Sequence, residues 1–216
     1  MPIFAYLIVQ GFFYTKNLKK YIFRVFVVAT ITQIGLFILG FINQEFFSNY
    51  WTGVNNYLGV VYSYTFSLIL LTILDRKIII NKLNEKQNLF VRINLFILIL
   101  LAYLNLNIEF DMQVPFIILE LYAIEKLFEK DNKLLLKQSV KIKTRLLYLF
   151  LILVCFAISI YFLGYSSGNK YAMLFSVIFI ALYNGESGKK NKLIQFLFYT
   201  VFPLQHIVLY LLAMVR

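Results

Sequence analysis

The chain has 216 residues, of which 61% are hydrophobic, 19% are aromatic and only 14% are charged, with a formal net charge of +11. This composition excludes an ordinary soluble domain, and the apolar runs are too continuous for the alternating strands of a β-barrel. Only helices and closed barrels satisfy their backbone polar groups in lipid. The sequence therefore predicts an all-α, polytopic transmembrane helix bundle that forms a single domain over residues 1–216.

About eight apolar segments follow one another along the chain. They lie at residues 1–14, 21–42, 57–74, 89–104, 114–128, 146–163, 171–182 and 193–215. The first segment is short for a span of about 20 residues. The fifth contains Glu120 and Glu125, so two alternatives stay open for it: it spans the bilayer or it lies in the interface.

Basic residues alternate between the loops of this arrangement. Loops 15–24, 75–88, 126–145 and 183–192 hold 18 of the 21 Lys and Arg residues, whereas loops 43–56, 105–113 and 163–170 hold only Lys170. By the positive-inside rule, the first set is cytoplasmic and both termini lie outside, in a multi-pass membrane protein. The net charge is thereby explained as an orientation signal, so we expect a lipid bilayer and no nucleic acid as partner.

Polar residues inside the first and third segments mark a candidate site. Gln10 and Gly11 come just before the cytoplasmic end of the first helix, and Tyr64 and Thr65 belong to a polar patch on the third. Polar side chains within spans usually face the interior of the bundle. These four residues are therefore predicted to bind substrate, with packing between helices as the alternative explanation.

The last segment carries His206, the only histidine of the chain. Counted from Leu193 at ~1.5 Å per residue, His206 lies roughly 20 Å into a hydrocarbon core of ~30 Å. Tyr199 shares its helical face. We expect His206 to act as a general base and Tyr199 to line the same site; the alternative is a histidine that a neighbouring helix satisfies.

Two basic stretches are candidate contacts for the phosphates of an anionic cofactor. The first contains Lys16, Lys19, Lys20 and Arg24, and the second contains Asn184, Gly185, Gly188, Lys189 and Lys190. The two glycines free the backbone of that turn, and lysines can hold phosphate oxygens. A helix-end turn with a membrane-orienting charge is the alternative. One His and Cys155, the single cysteine, supply too few ligands for a metal site, so we expect no metal.

Two stretches of the sequence resemble the TraX family of membrane acetyltransferases. They are FAYLIVQGFFYTKNLKKYIFRVFVVATITQIG at residues 4–35 and LYNGESGKKNKLIQFLFYTVFPLQHIVLYLL at residues 182–212, with a weaker match of YSYTFSLILLTILDRK at residues 62–77. The family is named for the enzyme that modifies the N-terminus of conjugative pilin, and it is similar in outline to the membrane O-acyltransferases. The resemblance implies acetyl-CoA as acyl donor, and a pilin-like peptide N-terminus or an envelope polymer as acceptor. It also matches Asp111 to an acidic position of the family.

The chain departs from the family pattern at three places. The family begins one helix earlier, with an Asp-His pair; it carries Glu where this chain has Gln10; and it places one residue between Pro and His, whereas two separate Pro203 from His206. We therefore expect a start at an internal Met or a natural truncation, with weak or absent activity. The alternative is a non-catalytic membrane protein: a transporter subunit, an accessory or immunity factor, or a degenerate relative of the enzyme.

Overall fold

The fold is given by a computed structural model that describes residues 2–42, 58–75, 84–106, 112–128, 142–163 and 167–182. These residues form seven α-helices and no β-strand, which confirms the predicted all-α class. The helices are α1 (Pro2–Tyr14), α2 (Leu18–Ile42), α3 (Val60–Leu74), α4 (Glu85–Asn105), α5 (Gln113–Phe128), α6 (Ile142–Leu163) and α7 (Ser167–Leu182). The predicted eighth segment, at residues 193–215, lies outside the described residues.

Two of the helices are long and apolar enough to cross a membrane. They are α4, Glu85–Asn105, and the part of α6 from Thr144 to Tyr161. The stretches Pro2–Tyr14, Val60–Leu74 and Met173–Leu182 are apolar but shorter. The larger number of spans expected from the sequence stays a prediction.

Helix α5 lies at the centre of the bundle, in contact with α1, α3 and α6. Around it, α2 and α4 pack on α3, while α7 packs on α6 and α1. Eight of the 16 residues of α5 are buried. Helix α5 is therefore an interior helix of the bundle, and the two alternatives for the fifth segment, a span or an interfacial helix, stay predictions.

The core between these helices is apolar and closely packed. Its fully buried side chains include Phe12, Leu68, Ile118, Ile152 and Phe156. Large apolar side chains also cover the outside of the bundle, on α2, α4, α6 and α7. A helix that is apolar on all faces requires apolar surroundings on its outer side as well.

Side-chain contacts at the helix ends fix an antiparallel arrangement. Arg92, near the start of α4, donates from Nε to the carbonyl of Ile73 (2.9 Å) and from Nη2 to that of Leu74 (2.8 Å). Arg145, near the start of α6, donates to the carbonyl of Ala181 at 2.6 Å, close to the end of α7. Arginine side chains thus satisfy carbonyl groups that a helix leaves unpaired at its C-terminus.

These contacts bring seven helix ends to one side of the bundle. There, α1, α3, α5 and α7 end, and α2, α4 and α6 begin; we call this side the basic end, because the described residues Lys16, Lys126 and Arg145 lie there. Asp75, which follows α3, accepts hydrogen bonds from Tyr122 and Lys126 of α5, both at 2.8 Å. The basic end corresponds to the side that the charge distribution predicts to be cytoplasmic.

Candidate functional site

A buried carboxyl group lies one turn inside the basic end. It belongs to Glu125 of α5, which is 7% exposed. Its Oε1 atom accepts a hydrogen bond from Nε2 of Gln10 on α1 and a second one from the hydroxyl of Tyr148 on α6. The side chain of Tyr6, on α1, in turn interacts with that of Tyr148. We call these four residues the carboxyl cluster.

The sequence positions the cluster through helix periodicity. Tyr6 and Gln10 are four residues apart, so α1 presents both to the same neighbours. Glu125 follows Leu121 by four residues and shares its buried face of α5. Removing a carboxyl group from water costs free energy unless donors replace the solvent. Here an amide and a phenol supply those donors, and hydrogen bonds to carboxyl groups are among the stronger ones in proteins.

Aromatic rings pack on one another near the carboxyl cluster. Phe128 meets Tyr148 edge to face, with ring centroids 5.8 Å apart. Tyr122 stacks on Phe13 at 5.6 Å and meets Phe12 edge to face at 5.9 Å. Glu125 itself is only 7% exposed, so its carboxyl group is shielded from the aqueous side in the conformation described. Access of a substrate from that side therefore requires side chains of α1 or α5 to move.

A second carboxyl group lies deeper in the bundle, on the same helix. Glu120 is half-buried, and its Oε2 atom accepts a hydrogen bond of 2.5 Å from Ser159 of α6, whose side chain is fully buried. Glu125 follows Glu120 by five positions, which is roughly 7.5 Å along the helix axis. The contact surface between α5 and α6 thus holds two carboxyl groups, each bonded to a hydroxyl of α6.

The predicted substrate-binding residues of α1 and α3 are placed in different surroundings. Gln10 is buried and belongs to the carboxyl cluster, while Tyr64 and Thr65 are buried in α3. The Thr65 hydroxyl donates to the carbonyl of Val61, one turn earlier in its own helix, at 3.1 Å. These three residues face the interior, as expected of polar residues in spans, and a role toward substrate stays a prediction.

Gly11 of α1 lies directly against the side chain of Tyr21 on α2. A Cβ atom added to Gly11 would lie 2.3 Å from the Tyr21 hydroxyl oxygen, which is far shorter than any normal contact. The same hydroxyl lies 3.4 Å from the carbonyl of Ile8, to which it donates. The ring of Tyr21 thus occupies the space above Gly11 that a substrate would need in the predicted site.

The four predicted phosphate contacts of the first basic stretch come together at the start of α2. Lys16, Lys19, Lys20 and Arg24 are all exposed at the basic end. The side chain of Asn17 accepts a hydrogen bond of 3.0 Å from the backbone of Lys20 and so caps the helix. Exposed cations beside a helix N-terminus form a favourable environment for an anion.

The remaining predicted site residues lie outside the described residues. These are the expected base His206, its neighbour Tyr199, the acidic Asp111, and the turn residues Asn184, Gly185, Gly188, Lys189 and Lys190. Within the part of the chain that the structure describes, no three metal-ligating side chains come together.

Sequence reasoning did not single out Glu125. The two glutamates of the fifth segment were interpreted only as a reason to question whether it spans. A carboxyl group within an apolar segment is nevertheless a signal for a functional or strongly constrained position, and that signal was visible in the sequence. Its partners Gln10 and Tyr148, 115 and 23 residues away, are identified only by the fold.

Comparison with known proteins adds no assignment. No protein-family model, no curated protein and no solved structure matches this chain.

Proposed function

We propose that this chain is a multi-pass protein of the bacterial cytoplasmic membrane that transfers an acetyl group from acetyl-CoA to an acceptor in the membrane or envelope. The observation that carries the proposal is the carboxyl cluster, in which Glu125 is held by Gln10 and Tyr148 inside an apolar bundle. Ionisable residues at such positions commonly serve proton or substrate pathways. The resemblance of residues 4–35 and 182–212 to the TraX family supports the choice of reaction.

The location of the cluster suits a donor that arrives from the cytoplasm. Lys16, Lys19, Lys20 and Arg24 are exposed at the basic end and provide cationic contacts for the phosphates of acetyl-CoA. Glu125 lies only three residues before the end of α5, which is about 4.5 Å of helix. A donor held by these cations needs to extend its thioester only a short way into the bundle.

The resemblance to the TraX family gives a second argument for a role of the carboxyl cluster. It implies a Glu where this chain has Gln10, and in this structure the Gln10 amide binds the carboxyl group of Glu125. An acidic group is therefore present at this level of the bundle, although α5 provides it. The substitution on α1 and the glutamate on α5 are complementary, since an amide can donate to a carboxyl group and two carboxylates would repel each other.

In the proposed reaction, the acceptor amine or hydroxyl attacks the thioester carbonyl carbon. A C–N or C–O bond forms, the C–S bond breaks, and coenzyme A leaves as its thiol. The acceptor loses one proton; in this proposal Glu125 accepts it and passes it to the leaving thiolate, so that the thiol forms and the carboxylate is restored. His206 is the base expected from the sequence, and the resemblance suggests a pilin-like peptide N-terminus or an envelope polymer as acceptor.

Replacement of Glu125 tests the proposal. Membranes that contain the protein should move labelled acetyl groups from acetyl-CoA into the membrane fraction with release of the coenzyme A thiol. Glu125→Gln should lower this rate by roughly 10²- to 10⁴-fold, the usual contribution of a general base. Glu120→Gln is the matched control, because it removes a carboxyl group from the same helix without touching the cluster. Equal rates for the two variants would remove Glu125 from the reaction, and absence of transfer by the parent protein would refute the function.

The enclosure of Glu125 favours one other candidate, a non-catalytic membrane protein such as a transporter subunit or an accessory factor. Glu125 is 7% exposed, and the ring of Phe128 packs on that of its partner Tyr148 in the conformation described. In that case the cluster holds α1, α5 and α6 together, and Glu125→Gln lowers the stability of the protein while acetyl-CoA has no effect on it.

The proposed orientation is tested on the two ends of α4. In a Cys155→Ser background, a cysteine at Leu106 should react with an impermeant thiol reagent added outside intact cells, and a cysteine at Lys86 should not. Both positions are exposed in the structure. Labelling of Lys86→Cys alone would invert the topology, and labelling of both or neither would show that α4 does not span.

A further inference from the structure

We propose that α4 is the contact surface of a homodimer, in which Asn94 pairs with Asn94 of a second copy of this chain. The inference goes beyond the proposed reaction and rests on α4, one of the two helices long and apolar enough to cross a membrane. Among the described helices, α4 packs against α3, and Tyr103 is the only buried residue of its 21.

The contact with α3 uses one side of α4. Tyr103 lies 3.1 Å from Ser63 through their hydroxyl oxygens and meets the ring of Phe66 edge to face. Arg92 binds the end of α3 from the same side. The residues at helical spacing on the opposite side are exposed, and they form a continuous surface along the whole length of the helix.

This opposite side has the spacing of a coiled-coil seam. Five exposed residues follow one another at intervals of 4, 3, 4 and 3 along α4: Phe90, Asn94, Ile97, Leu101 and Leu104. We call them the α4 seam. A repeat that averages 3.5 residues keeps one face of a helix in contact with a partner helix over several turns. Four large apolar residues and one Asn in such a seam are typical of helices that self-associate with a defined register.

Asn94 lies within the apolar part of the span, about a third of the way along it from the basic end. It is the tenth of the 21 residues of α4 and the sixth of the apolar segment 89–104, roughly 7.5 Å from the start of that segment. Its Nδ2 atom donates to the carbonyl of Phe90 in its own helix at 2.9 Å. Within the described residues, no second hydrogen bond of this carboxamide is present, although one N–H and the oxygen remain to be paired. At this depth in the hydrocarbon of a bilayer, lipid chains provide neither a donor nor an acceptor.

A second copy provides both groups in the required geometry. The carboxamide carries a donor and an acceptor, so two Asn94 side chains related by a twofold axis can satisfy each other. All copies enter the membrane in the same orientation, and two α4 helices in one bilayer are therefore parallel. In parallel two-stranded coiled coils, a single Asn in the seam fixes register and strand number.

Disulfide crosslinking in membranes tests the dimer directly. In a Cys155→Ser background, cysteines placed at Ile97 or Leu101 should form a disulfide-linked dimer on mild oxidation, at twice the chain mass of 25.5 kDa. Ala102→Cys is the matched control, because position 102 is exposed on α4 but lies outside the seam. Equal crosslinking at all three positions, or none at Ile97 and Leu101, would overturn the proposal. A crosslinked product of another mass would assign the seam to a different membrane protein.

Substitution of Asn94 tests its role in the contact. Asn94→Val should weaken self-association by about 3- to 30-fold, as expected for interhelical hydrogen bonds in membranes. Asn94→Gln should preserve it, because the longer carboxamide can still pair. Copurification of two differently tagged copies measures both variants and the parent. No association by the parent, or equal association by Asn94→Val and the parent, would contradict the assignment.

Discussion

Helices α4 and α5 show opposite relations between apolar composition and burial. Helix α4 is long and almost entirely apolar after its first turns, yet one of its 21 residues is buried. Helix α5 is shorter and contains two glutamates, yet eight of its 16 residues are buried, and it contacts three neighbouring helices. In a soluble protein the more apolar helix would normally be the interior one.

This difference follows if lipid surrounds the bundle. Apolar side chains then gain little from the protein interior, because acyl chains are equally apolar. Polar side chains, in contrast, find donors and acceptors only inside the protein, so a helix with glutamates is drawn to the centre. Glu125 binds Gln10 and Tyr148, and Glu120 binds Ser159. Helix α4 makes its few polar contacts with α3 at Arg92 and Tyr103.

The largest expected difference between the two helices is the loss of stability when a leucine is replaced by alanine. Leu121 of α5 is 1% exposed, and Leu98 of α4 is 63% exposed. Leu121→Ala leaves a cavity and should lower the free energy of unfolding by about 2–5 kcal/mol. Leu98→Ala should change it by less than about 0.5 kcal/mol. Denaturation of the two purified variants in detergent compares them, and equal losses would contradict the assignment of α5 to the interior.

Part of this arrangement could be predicted from the sequence. Composition predicts the all-α class, and the alternation of basic loops matches the common side on which α1, α3, α5 and α7 end. Gln10 is buried, as its position within a span suggested. These features depend on the composition and charge of individual segments, which can be read directly from the sequence.

The pairing of helices could not be predicted, because it depends on contacts between distant residues. Nothing local indicates that Gln10 binds Glu125, since the two are 115 residues apart. For the same reason, the sequence leaves open whether the fifth segment, with its two glutamates, spans the bilayer. Gly11 is predicted to bind substrate together with Gln10, and the structure places the ring of Tyr21 directly against it.

Substitution of Arg92 should lower stability by an intermediate amount, with the loosening confined to α4. Its two hydrogen bonds to the end of α3 hold the start of α4. Arg92→Gln should cost about 1–2 kcal/mol, because it removes a charged donor from a helix C-terminus. Hydrogen exchange should become faster in α4 and stay unchanged in α5. Faster exchange in α5 as well would show that α4 supports the centre of the bundle and is not peripheral.

The smallest expected effect concerns the ion pair at the basic end of α5. Lys126 binds Asp75 at 2.8 Å, and its side chain is 45% exposed, whereas that of Asp75 is 10% exposed. Partly exposed ion pairs contribute little, so Lys126→Gln should lower the free energy of unfolding by less than about 1 kcal/mol, with a smaller loss at high salt. Lys86→Gln on α4 is the control. Lys86 is also an exposed lysine, but no ion pair with it is found among the described residues. A loss above 2 kcal/mol for Lys126→Gln would mean that the connection between α3 and α5, and not the apolar core of α5, holds this helix at the centre.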